Sequence, residues 1–167
     1  ARGMANRPKD KGTRFETAVA DYLRWALGDE RIQRLTLHGS KDVGDIGGIY
    51  HRGVRVTVEC KATRAPHYRR HWAECLVEMA NGDANLGIVI WKRPGIGIAH
   101  RDTVGRHLAY TRRDVLAAMV STLHDDAATA LMAKTEAIPR NGELIGMDLA
   151  DMARLLNHGL PLGPDQE

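Results

Sequence analysis

Three acidic residues and one lysine have the chemistry of a metal-dependent hydrolytic site: Glu16, Asp45, Glu59 and Lys61. Asp45 and Glu59 could meet as two carboxylates, with the backbone carbonyl of Cys60 as a third oxygen ligand. Mg²⁺, or Mn²⁺ in its place, prefers such oxygen ligands and keeps waters for a phosphate substrate. Lys61 would orient a water or meet the phosphate, and Glu16 would complete the cation shell through water. The chemistry expected of this set is phosphodiester hydrolysis.

A β-hairpin is the element that must bring the two carboxylates together. Thirteen residues lie between Asp45 and Glu59, enough for the chain to run along one strand, turn at Gly53 and return. The second strand, predicted over Val54–Ala62, alternates strictly between two sets of side chains. Its period of two places Glu59 and Lys61 on the same face.

A Glu-x-Lys pair on a strand is, by itself, more often a solvated face that carries an ion pair. The strand that holds Glu59 is, however, expected to lie in the interior of a sheet. Buried carboxylates are costly and shift their pKa unless a cation satisfies them. The complete set of acids therefore favours a metal site more strongly than the pair alone.

The remaining pattern predicts an α/β protein, with a mixed β-sheet flanked by helices. A helix is expected over Arg14–Leu27, another after Pro66 on the stripe that includes Trp72 and Cys75, and a central strand over Leu86–Trp91. Further strands are predicted over Ile32–Leu37, Ile46–Tyr50, Ile96–Ala99 and Leu108–Tyr110, and further helices over Arg112–Leu123, Ala127–Ala137 and Asp148–Asn157. The expected organisation is a flexible basic arm (1–11), a catalytic domain (12–123) and a helical C-terminal extension and tail (124–167).

Three short motifs, taken together, resemble the PD-(D/E)xK nuclease superfamily. They are Gly12-Thr-Arg-Phe-Glu16, Asp42-Val-Gly-Asp-Ile46 and Val58-Glu-Cys-Lys61. Within the superfamily they are most similar to the Holliday-junction resolvases of the archaeal and phage type. The resemblance covers about residues 12–120. The chain departs from the pattern at Gly44, which stands where the superfamily's name has a proline.

The resemblance implies a restriction-endonuclease-like core in which Glu16, Asp45 and Glu59 are the metal-site acids and Lys61 is the catalytic lysine. It also implies a Mg²⁺-dependent DNA endonuclease that acts as a homodimer and resolves four-way junctions by paired nicks. Two other interpretations stay open. One is a nuclease of different specificity, of restriction, flap or single-strand type, and the other is a DNA-binding module without catalysis.

Charge is distributed unevenly along the chain. Residues 1–113 carry a formal charge of +9 and residues 114–167 carry −6. The positive charge of residues 1–113 suits binding to a phosphate backbone. A solvated basic surface that binds no partner would have the same composition. The residues expected to contact DNA are Arg14, Ser40, Lys41, Arg64, Arg69, Arg70, Lys92 and Arg93.

Several other residues have two interpretations. His67 and His71 have the spacing of two ligands on one helical face, so a zinc site with Cys60 and Cys75 can be drawn, but we expect surface histidines instead. Glu74 and Glu78 are expected on a solvated helix face, although that helix faces the site in the related nucleases. Trp72 is expected in the core, with base stacking as its alternative role.

The cellular compartment is expected to be the cytoplasm, of a host cell if the protein is phage-encoded. No apolar run is long enough to span a bilayer, and no secretory signal is recognisable. The two cysteines are not in a paired motif, as is usual in a reducing compartment.

Overall fold

The computed structural model describes residues 7–36 and 41–164 of the chain. The helices are α1 (Arg7–Leu27), α2 (Tyr68–Asn81), α3 (Arg101–Val104), α4 (Arg113–Val120), α5 (Asp125–Met132) and α6 (Leu149–Leu156). The strands are β1 (Gln33–Arg34), β2 (Ile46–Gly47), β3 (Tyr50–His51), β4 (Val54–Lys61), β5 (Leu86–Trp91), β6 (Leu108–Arg112), β7 (Glu136–Ala137) and β8 (Leu144–Asp148). The predicted α/β class, a mixed sheet flanked by helices, is confirmed.

The strands form an open sheet in the order β1-β2-β4-β5-β6-β8-β7, and β3 pairs with the start of β4. The central pair β4 and β5 is parallel, and its register aligns Glu59 with Val89 and Lys61 with Trp91. β2 is antiparallel to β4 and aligns Ile46 with Val58. The end of β4 therefore lies in the middle of the sheet, next to the beginning of β2.

The sheet separates two hydrophobic clusters, and alternate residues of the same strand enter different clusters. Val56, Val58 and Cys60 of β4 pack on one face with α1 and α6, whereas Val89 of β5 packs on the other face with Trp72 of α2. Glu59 and Lys61 project from the face that α2 covers, as the alternation predicts. This polar pair consequently lies in the layer between the sheet and a helix.

The N-terminal helix is longer than predicted. It begins at Arg7, so residues 7–11 of the expected flexible arm are helical. Two features support this early start. Pro8 lies in the first turn, where its missing N–H is not needed, and Asp10 complements the positive end of the helix dipole.

The C-terminal segment is not the purely helical extension that we expected. β8 pairs with β6 over five aligned residues, and β7 pairs with β8, so the sheet continues beyond residue 123. β8 was missed because both of its faces are covered and its residues do not alternate in polarity. At Gly146 a Cβ atom would lie 2.8 Å from Leu108 Cδ1, so a larger residue would require the Leu108 side chain to shift.

Other boundaries also differ from the sequence predictions. Residues 96–99 form a loop rather than an edge strand, and α4 begins at Arg113 because β6 continues through Arg112. The strand expected over Ile32–Leu37 is limited to Gln33–Arg34 among its described residues, and Leu37 lies outside them. α5 ends at Met132, before the end expected for it at Ala137. None of the helices in the described part of the chain is long and apolar enough to cross a bilayer.

Candidate active site

Asp45 is held at the end of β4 by two backbone contacts. Its own N–H donates to Val58 O at 2.8 Å, and its Oδ2 accepts a hydrogen bond from the Cys60 N–H at 2.7 Å. The Asp45 carboxyl lies within hydrogen-bonding reach of the Glu59 carboxyl. The hairpin therefore brings together the two acids that the spacing predicts should meet.

Gly44 explains why no proline precedes Asp45. Its φ is 110°, which proline cannot adopt because its ring fixes φ near −65°. A Cβ atom at this position would also lie 3.1 Å from Val58 O. The chain needs a glycine here to carry Asp45 against β4.

The carbonyl of Cys60 lies on the Asp45 side of β4. Along a strand, the N–H and C=O of one residue point to the same lateral edge, and successive residues alternate between edges. The Cys60 N–H meets Asp45, whereas Lys61 O accepts from Lys92 N on the β5 side. Two of the oxygen ligands expected for a cation, the Asp45 carboxylate and the Cys60 carbonyl, thus lie on the same edge of β4, and the Glu59 carboxyl lies within reach of Asp45.

Lys61 is fixed between two carboxylates. Its Nζ lies 3.1 Å from Glu59 Oε1 and also contacts Glu74 Oε2 of α2. Burial alone would lower the pKa of Lys61, but its contacts with Glu74 and Glu59 outweigh burial and raise the pKa. Lys61 is therefore a cation held within the site.

Glu78 joins the site from α2, and the expectation of a solvated face is wrong for it. The residue is 6% exposed and lies within hydrogen-bonding reach of Glu59. Its position follows from the buried stripe of α2, in which His71, Cys75 and Glu78 recur at helical spacing. That spacing was visible in the sequence and would have identified Glu78. Glu74 is half-buried and forms an ion pair with Lys61, so it does not lie on a fully solvated face either.

Burial makes the acid cluster costly to ionise. The pKa of Asp45 is raised by burial and then by the charge of Glu59, and the pKa of Glu59 is raised by burial and then by its contact with Glu78. Burial likewise raises the pKa of Glu78 to about 7. Glu59 Oε2 and Glu78 Oε2 are buried and lack a hydrogen-bond donor among the described residues. The cluster thus has oxygen atoms without a hydrogen-bond donor and carboxyl groups whose ionised form a bound cation would stabilise.

Glu16 lies near these acids on α1 but has a cationic partner of its own. Its Oε2 is 3.2 Å from Arg34 Nη1 of β1, and its charge acts on Asp45. Arg34 was missed in the sequence because a single arginine in a short strand carries no recognisable signal. The Glu16 carboxylate is thus fixed beside the site by Arg34.

Zinc chemistry is not supported at the two histidines. His71 is fully buried rather than on the surface, and its ring packs edge-on against His67 with 5.8 Å between centroids. Burial raises the pKa of the Cys60 and Cys75 thiols, which disfavours the thiolate that zinc needs. Within residues 7–36 and 41–164, no group of three His, Cys, Asp or Glu side chains is arranged around a common metal position as it stands.

The residues expected to contact DNA fall into three groups. Exposed side chains belong to Arg14, Lys41, Arg64, Arg69 and Arg70. Lys92 and Arg93 are half-buried; Lys92 donates to Ile96 O, and Arg93 forms ion pairs with Glu136 and Asp148. Ser40 lies outside the described residues. Trp72 is 7% exposed, so it is a core residue and does not stack on a base.

Comparison with known proteins identifies no relative. No family model matches the chain, and neither a curated protein nor a solved structure matches it.

Proposed function

We propose that this protein is a Mg²⁺-dependent DNA endonuclease that hydrolyses phosphodiester bonds. The observation that carries the proposal is the meeting of Asp45 and Glu59 at the end of β4, with Lys61 on the same face as Glu59. The raised carboxyl pKa values and the unsatisfied oxygen of Glu59 support a cation between these groups.

Asp45, Glu59 and the carbonyl of Cys60 would hold the Mg²⁺, and Mn²⁺ would serve in its place. When bound, the metal supplies a lowered pKa for an attacking water and positive charge near the phosphate. Lys61, anchored by Glu59 and Glu74, presents an ammonium group to the negative charge that grows on the phosphate. Glu16 adds negative charge at the edge of the site.

The substrate is proposed to be DNA because exposed arginines lie close to the site in sequence and in space. Arg64 lies three residues after the end of β4, and Arg69 and Arg70 lie in the first turn of α2. Four-way junctions are the proposed form of DNA, and a homodimer is the proposed assembly. Both proposals rest on the sequence resemblance. The dimer follows from the junction, because two symmetric nicks need two sites.

The test is a cleavage assay with Mg²⁺ on a four-way junction, a linear duplex, a flap and a single strand. Asp45→Asn, Glu59→Gln and Lys61→Ala should each lower cleavage at least about 100-fold while DNA binding persists. Glu30→Gln, which changes an exposed acid of the described part of the chain, is the matched control and should cleave normally.

The same assay separates the alternatives. Cleavage of another substrate in preference to the junction assigns a nuclease of different specificity. Binding without cleavage by the parent protein leaves a DNA-binding module, and full activity in excess EDTA contradicts the metal site. Sedimentation equilibrium with and without the junction tests the dimer, which a mass of 18.5 kDa in both states would contradict.

A further inference from the structure

A basic cavity of about 560 Å³ lies between α2 and the turn that joins β7 to β8. One wall is the start of α2, including His67, Arg69 and Arg70, and the other is Pro139, Arg140 and Asn141. Among the described residues, no acidic side chain lines this space. We call it the α2 basic cavity.

The arginines of the α2 basic cavity are free to bind a ligand. Arg69, Arg70 and Arg140 are exposed, and among the described residues none of them forms a salt bridge. Three unpaired guanidinium groups around one cavity attract an anion with several oxygen atoms, since each group can donate two parallel hydrogen bonds. The positive end of the α2 dipole adds to this field.

A tight turn fixes the backbone of Arg140. The turn places Pro139 second and Arg140 third, and it is closed by a hydrogen bond from Asn141 N to Ile138 O at 3.2 Å. Arg140 has φ 58°, in the region that favours glycine at this place of a turn. An arginine here is held in a backbone conformation that glycine adopts without strain, as are four other non-glycine residues in the described part of the chain.

The α2 basic cavity lies beside the candidate active site. His67 lines the cavity and packs against the ring of His71, and the charge of Lys61 helps to lower the pKa of His71. The buried His71 is therefore near both Lys61 and the cavity wall. Arg70 lies one helical turn before Glu74, the α2 residue that contacts Lys61, so a DNA backbone bound at Lys61 has the first turn of α2 beside it.

We propose that the α2 basic cavity binds the DNA backbone next to the phosphate that is cleaved, with Arg140 as a phosphate contact. The inference rests on the proposed function for its ligand and extends it to the C-terminal part of the chain. The turn that carries Arg140 lies outside residues 12–120, which carry the sequence resemblance. The role of β7 and β8 would then include presenting this turn to DNA.

The experiment measures DNA binding by fluorescence anisotropy in EDTA, where no cleavage is required. Arg140→Gly removes the guanidinium and also relieves the backbone strain, so the fold is not weakened. For a labelled duplex and a labelled four-way junction, the slope of log K against log salt should fall in magnitude by about 0.9 for each phosphate that the variant no longer neutralises. The triple variant Arg69→Ala, Arg70→Ala, Arg140→Gly should reduce the slope by about two or more, and Arg140→Lys should keep most of it.

Arg52→Gly is the matched control. Arg52 is also exposed and has φ 50°, but it lies in the turn between β3 and β4, at the opposite end of β4 from Lys61. Its substitution should leave the slope unchanged. An unchanged slope for Arg140→Gly, an equal reduction for Arg52→Gly, or a parent protein without salt-dependent DNA binding would overturn the inference.

These results are independent of the cleavage assay. A reduced slope for Arg140→Gly in a protein that cleaves nothing supports the cavity and contradicts the nuclease. Metal-dependent cleavage with an unchanged slope supports the nuclease and contradicts the cavity.

Discussion

The N–H of Cys60, the residue that follows Glu59 on β4, donates a hydrogen bond of 2.7 Å to Asp45 Oδ2. This contact fixes the Asp45 carboxyl against β4 while the Glu59 side chain leaves the strand toward α2. Two acids, one from the bend before β2 and one from β4, are thereby held together. The contact favours the ionised form of Asp45 but does not offset the desolvation that raises its pKa.

In EDTA, Asp45→Asn should stabilise the protein, and the gain should increase with pH. The pKa of Asp45 is 3.8 in the unfolded chain and is raised by burial to about 8 in the folded protein. Between these values the folded state binds more protons, so the free energy of unfolding falls as the pH rises. At pH 8 the variant should be more stable by at least about 2 kcal/mol, since one pKa unit corresponds to about 1.4 kcal/mol.

Thermal unfolding of both proteins at several pH values checks this expectation, with Glu30→Gln as an exposed-acid control. Saturating Mg²⁺ should raise the unfolding temperature of the parent and weaken its pH dependence, because the cation replaces the protons. If the difference in unfolding temperature between the parent and Asp45→Asn does not change with pH, the Asp45 carboxyl is ionised without a cation.

Glu78→Gln should shift the pH dependence of cleavage toward lower pH. The amide can donate a hydrogen bond to Glu59 Oε2, which now lacks a donor among the described residues. A donor to the ionised form lowers a carboxyl pKa, so Glu59 would be ionised at lower pH. When cleavage rates are measured across pH, the maximal rate of the variant should stay within about tenfold of the parent's. The acid limb of the profile should move to lower pH. An unmoved acid limb would mean that Glu78 does not control the ionisation of Glu59.

The sequence alone predicted the mixed sheet, the hairpin and the shared face of Glu59 and Lys61, because each depends on local periodicity or turn chemistry. It did not predict β8, whose pairing with β6 depends on residues far apart in the chain. It missed the buried position of Glu78, because a charged residue was assigned to the surface although its helical spacing matched His71 and Cys75. Such a position is compatible with folding only where other groups share its proton or charge.

Glu16→Gln should raise the Mg²⁺ concentration needed for half-maximal cleavage by about tenfold or less, with rescue at high Mg²⁺. Glu16 acts on Asp45 through its charge but is itself paired with Arg34. Arg34→Gln leaves that charge unneutralised beside the site, so it should lower the Mg²⁺ requirement or leave it unchanged. Titration of cleavage with Mg²⁺ compares the two variants. An equal increase of the Mg²⁺ requirement in both variants would indicate that the ion pair only stabilises the packing of α1 on β1.

Arg93→Ala should destabilise the protein without changing the salt dependence of DNA binding. Although Arg93 was expected to contact DNA, its guanidinium bridges Asp148 at 2.9 Å and Glu136 at 2.8 Å. It therefore joins the loop after β5 to β7 and β8. Removal of two partly exposed ion pairs should cost about 1 kcal/mol, which lowers the unfolding temperature by about 2–4 °C in a chain of this size. Calorimetry and anisotropy on one preparation separate the two roles. A salt slope reduced by about one, with an unchanged unfolding temperature, would return Arg93 to the DNA-binding surface.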